Sequence, residues 1–68
     1  MENKVGMSYI EGETIKLLAQ EFSDTEIAEH LGIDSSMVRT IISNMMVKTD
    51  TNSLIGLIKE AMKKGWIV

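Results

Sequence analysis

Sixty-eight residues with 44% hydrophobic and 25% charged side chains, a net charge of −3 and a pI near 4.9 make one small domain, at the size where a single apolar core only just suffices. The absence of cysteine excludes disulfides, thiolate metal sites and a cysteine nucleophile, and no run approaches the ~18 apolar residues a membrane span needs. The start "MENKVGMS" lacks the apolar segment of a secretory signal, so the expectation is a soluble cytoplasmic domain over 1–68, with residues 1–6 flexible and the rest packed.

There is no proline, and the apolar residues recur at helical rather than alternating spacing, which predicts an all-α fold of four helices at about 8–21, 24–31, 35–48 and 53–64. In "SYIEGETIKLLAQEF", Ser8 and Glu11 have the spacing of a capping box, in which hydroxyl and carboxylate satisfy each other's free N–H groups. Ile10, Thr14, Leu17, Leu18 and Phe22 then fall on one helix face. Ser23 and Glu26 repeat the box and open a second helix, with Ile27, Ala28 and Leu31 inward and Glu26, Glu29 and His30 outward. Gly32 stops it, at the position where a left-handed backbone is cheapest for glycine.

Beyond Gly32, Ile33 is expected to turn into the core, and "DSS" offers three candidate caps for a third helix. That helix sets Val38, Ile42 and Met45 on one face and Arg39, Thr40, Ser43 and Asn44 largely on another. Met37, Ile41 and Met45 form an i, i+4 row that suits either core or a surface covered by a partner. In "SLIGLIKEAMKKG", Ile55, Ile58 and Met62 share a face, with Leu54 and Leu57 beside them. Lys63 and Lys64 complement the last turn, Gly65 is the stop, and Trp66 is expected to pack the chain end against the body.

Two short helices joined through "LGI" have the form of a helix-turn-helix, which presents its second helix to a DNA major groove. The stretch "IKLLAQEFSDTEIAEHLGIDSSMVRTIISNMMVK", followed by a polar loop and a closing helix ending "KKGWIV", resembles the LuxR/GerE-type DNA-binding domain of bacterial transcription regulators. The resemblance spans 7–67 and is carried by the order and spacing of "LLAQ", "EIAEHLGI" and the "SxxV" that follows. It implies a compact four-helix domain that regulates transcription as a homodimer, with the third helix in the groove. The chain departs from the family pattern at four places. Asp24-Thr25 stands for the usual Asn-Lys, Met37 for threonine, Ile41 for histidine and Leu54 for arginine.

If the third helix reads DNA, Arg39 is its one side chain able to make a bidentate contact to guanine, and Asn44 suits adenine. Ser35, Ser36, Thr40, Ser43 and Lys48 fit phosphate contacts, with the two serines equally suited to capping, and Met37 fits a thymine methyl. Thr25, at the start of the second helix, fits a phosphate together with the N–H groups there. In the family the fourth helix forms the two-fold contact, which places Leu54, Leu57, Ile58 and Ala61 at a dimer interface; Ile58 also suits the core. Gly56 suits a close helix approach.

Charge divides unevenly. Residues 1–33 hold two bases against seven acids, net −5, and residues 34–68 hold five bases against three, net +2, which together give the net of −3. Basic footprints are the usual mark of DNA readers. Two readings follow: a stand-alone regulator that binds double-stranded DNA as a homodimer, or an acidic module of the same fold that binds and modulates another regulator. Catalysis finds no footing. His30 has no cysteine or second histidine with which to hold a metal, the paired glutamates are accounted for by caps and solvation, and no cofactor motif is present.

Overall fold

The computed structural model describes residues 7–67; the segment 1–6, for which flexibility is expected, lies outside them. Four helices account for the architecture: α1 (Tyr9–Ala19), α2 (Asp24–Leu31), α3 (Ser35–Thr49) and α4 (Leu54–Lys63). There is no strand among the described residues. Every helix boundary falls within two residues of its expected place, because each is set by local chemistry.

The starts are side-chain caps. Ser8 Oγ accepts from the Glu11 N–H at 3.3 Å while Glu11 Oε1 accepts from the Ser8 N–H at 3.0 Å. Ser23 and Glu26 repeat this exchange at 3.1 and 2.8 Å, and Ser53 Oγ accepts from the Gly56 N–H at 3.0 Å. Helix α3 is the exception: Asp34 is its N-cap by backbone angle but makes no side-chain cap bond. Ser35 and Ser36 lie inside the first turn, so capping is not their role.

The four ends share one device. The residue after each helix or its last turn adopts a positive φ: Glu21 (69°), Gly32 (73°), Asp50 (57°) and Gly65 (76°). The next N–H then reaches back five residues, Phe22 to Leu17 (3.1 Å), Ile33 to Ala28 (3.0 Å), Thr51 to Met46 (2.9 Å) and Trp66 to Ala61 (2.8 Å). This is the Schellman closure, which satisfies carbonyls the helix leaves open. At three of the four ends the returning residue is apolar and packs on or within the core: Phe22, Ile33 and Trp66. The turns therefore aim the chain inward as well as stopping it.

The core consists of Ile15, Leu17, Ile27, Ala28, Val38, Ile41, Ile42, Met45, Leu57, Ala61 and Trp66. Helix α3 lies at its centre, touching α1, α2 and α4, while α2 and α4 make no contact with each other among the described residues. Two faces differ from expectation. On α1 the buried residues are Thr14, Ile15 and Leu17, and Ile10 keeps 38% exposure, so the inward stripe is rotated toward Ile15. The Thr14 hydroxyl is accommodated there by donating to the Ile10 carbonyl at 2.7 Å.

On α4 the correction bears on function. Leu57 and Ala61, expected at a dimer interface, have 0% exposure and belong to the core. Of the other residues expected at that interface, Ile58 is half-buried against the core and Leu54 is exposed. Gly56 is not spare room for a neighbouring helix, because a Cβ there would stand 3.0 Å from Ser53 Oγ and 3.5 Å from Thr51 Cβ. The glycine keeps clearance for the cap of its own helix.

Candidate nucleic-acid interface

The connection between α2 and α3 is three residues, 32–34, with Gly32 left-handed and the Ile33 side chain packed on the core. Helix α3 runs for fifteen residues from there. Val38, Ile41, Ile42 and Met45 are its buried side, which settles the Met37–Ile41–Met45 row: Ile41 and Met45 are core, and Met37 stands half exposed at 50%.

Positions three and four apart share a helix face. Ser36, Thr40, Ser43 and Val47 accordingly form one outward strip of α3, and all four are exposed. Asn44 is exposed beside it, Ser35 is half-buried, and Thr25 is exposed in the first turn of α2. Val47, at 80% exposure, is an apolar member of this strip that the helix-turn-helix motif does not mark out. Its signal was the i+4 step from Ser43. The Thr40 hydroxyl donates to the Ser36 carbonyl at 3.1 Å, so one lone-pair-rich oxygen on the strip remains available while its proton is spoken for.

Arg39 and Lys48 flank the strip on opposite sides, and each is held by a carboxylate from another helix. Arg39 Nη1 donates to Asp24 Oδ2 at 2.9 Å, reaching the first turn of α2. Lys48 Nζ donates to Glu11 Oε1 at 2.8 Å, reaching the first turn of α1. Arg39 beside Asp24 holds that carboxyl below its ordinary range, with help from the Thr25 N–H and hydroxyl and against a smaller effect of burial. At Glu11 partial burial works against the charge, but Lys48 and Ser8 together outweigh it and the pKa is again lowered.

Formal charge sharpens the contrast. Residues 24–49 hold Asp24, Glu26, Glu29 and Asp34 against Arg39 and Lys48, which is 2 − 4 = −2. Helix α3 alone is +2 and is the one helix of the four that carries no acid. Its outer side is thus a neutral polar strip with a cation on each margin, set in an acidic surround.

No group of three or more histidine, cysteine, aspartate or glutamate side chains among the described residues could hold a metal ion. His30 is exposed and meets the Phe22 ring edge-on, with centroids 6.1 Å apart. Neither a protein-family model nor a curated protein matches the chain. The fold itself defines the class: a compact all-helical four-helix domain built round a central α3.

Proposed function

We propose that the chain is a helix-turn-helix DNA-binding module of the LuxR/GerE kind that acts in transcription regulation, with α3 entering the major groove. The observation that carries this reading is the division of α3: one side supplies the centre of the core, and the other is an acid-free polar strip between Arg39 and Lys48. A helix in that position is rigid, because three neighbours hold its back, and its whole outward length is free to meet a groove. The motif spacing from "LLAQ" to "SxxV" supports it independently.

In this reading Arg39 reaches a guanine edge and Asn44 an adenine, while Lys48, Ser43, Ser36 and Thr25 serve phosphates; Thr40, whose proton goes to the Ser36 carbonyl, can serve one only by giving up that bond. Ser35 is the weakest of the expected contacts because it is half-buried, and Val47 joins Met37 as an apolar contact for thymine methyls. A two-fold pair would follow the apolar stripe that α4 leaves open, Leu54, Ile55, Ile58 and Met62, in place of Leu57 and Ala61. Two such copies would present two α3 helices to successive half-sites.

The −2 charge of the α2–α3 unit favours a second reading, in which the same fold binds another regulator as an acidic module. Titration of labelled duplexes at low salt separates the two. DNA binding predicts an affinity that falls steeply with added salt and weakens by about tenfold or more in Arg39→Ala. Flat titrations at low salt would remove the first reading and leave the second.

A further inference from the structure

We propose that Asp24 is a built-in competitor for DNA: its carboxylate occupies Arg39 in the free protein, and Arg39 must leave it before it meets a phosphate in sequence-independent contact or the guanine edge that the DNA-binding reading gives it at a specific site. The inference rests on the DNA-binding reading and adds a regulatory residue to it. Arg39 and Lys48 are the only cations of residues 24–49, and both are engaged by carboxylates, so neither cation of α3 is unpaired when a phosphate approaches. To bind, it must take a cation from a carboxylate.

The two pairs are not equivalent. Glu11 Oε1 accepts from both Lys48 and the Ser8 N–H, so that carboxylate is also half of the α1 capping box. Asp24 accepts from the Thr25 N–H and hydroxyl as well as from Arg39, but it is no part of a capping box. The start of α2 is capped by Ser23 and Glu26, whose mutual bonds do not involve Asp24. Asp24 is not part of the core, and the pair faces solvent, with side-chain exposures of 60% for Arg39 and 35% for Asp24. An exposed ion pair of this kind is weak, typically well under the strength needed to lock a side chain, and so it is exchangeable.

The test compares Asp24→Asn with Glu29→Gln, which removes the same charge from the exposed surface of the same helix, using fluorescence anisotropy with a random-sequence duplex at low salt. Asp24→Asn is expected to bind about threefold to tenfold more tightly than wild type, and Glu29→Gln to change by less than about twofold. In an Arg39→Ala background the extra gain from Asp24→Asn should vanish. The proposal is overturned if Asp24→Asn binds no better than Glu29→Gln, or if its gain persists without Arg39. In those cases an Arg39-dependent wild-type affinity keeps the DNA reading intact. Absence of binding by wild type and every variant overturns both; binding by Asp24→Asn alone supports both. Circular dichroism of each variant checks that α2 is retained.

Discussion

Glu21 and Gly32 occupy the same backbone region for the same reason, and they do so at different cost. Both end a helix with a left-handed residue, at φ of 69° and 73°. Glycine adopts that region freely, whereas a residue with a Cβ is disfavoured there by about 1–2 kcal/mol. Glu21→Gly should therefore stabilise the fold by about 0.5–1 kcal/mol, once the greater freedom of glycine in the unfolded chain is subtracted. Gly32→Ala should destabilise it by about 1 kcal/mol, and since no atom lies within 4 Å of the added Cβ the loss is one of backbone alone. Urea unfolding of the two variants checks both signs. Gly32 was legible in the sequence as a stop because its residue type announces the conformation. Glu21 was not, because nothing in a glutamate signals a positive φ; the need arises from the sharp return that brings Phe22 onto the core.

At the scale of the helix, α4 shows how a pattern can be read correctly and still be placed the wrong way round. Leu54, Ile55, Leu57, Ile58, Ala61 and Met62 cover so much of its circumference that periodicity alone does not choose the inward part. Packing chooses it: Leu57 and Ala61 are shut in at 0% exposure, while Ile55 and Met62 stand out at 71% and 55%. The consequence is a pair of contrasting substitutions. Leu57→Ala should cost about 2–5 kcal/mol through the cavity it leaves. Ile55→Glu should alter stability by no more than about 0.5 kcal/mol, yet lower the mass found by sedimentation if the open stripe joins two copies. An unchanged monomer in wild type and Ile55→Glu alike would count against the pair. Helix α1 carries the same lesson more mildly, since Ile15 and Leu17 both point inward and Ile10 does not.

At the scale of the whole molecule, the inter-helix ion pairs Arg39–Asp24 and Lys48–Glu11 make stability depend on acid. The carboxyls of Glu11 and Asp24 have pKa values lowered in the folded protein, so the unfolded chain binds more protons than the folded one at low pH. Their contribution is complete above the ordinary carboxylate range and is lost as pH falls from about 4 through the lowered folded values. Thermal melts should accordingly hold steady from neutrality down to about pH 5 and decline below about pH 4. Glu11→Gln should flatten that decline, and Asp24→Asn should flatten it less because its pair is the more exposed. A melting temperature independent of pH across this range in wild type would exclude the linkage.

The sequence by itself determined the four helices and their bounds to within two residues, because caps, turns and periodicity act over three to five neighbouring residues. It also placed Arg39, Thr40, Ser43 and Asn44 on the side of α3 away from Val38, Ile42 and Met45, since both sets follow from one helical repeat. Only the tertiary structure decided which apolar stripe of α4 is core and which cations of α3 are already engaged. Asp24 and Arg39 are 15 residues apart, and Glu11 and Lys48 are 37 apart. Pairs at such separations exist only after the helices have packed, and no local spacing rule foretells them.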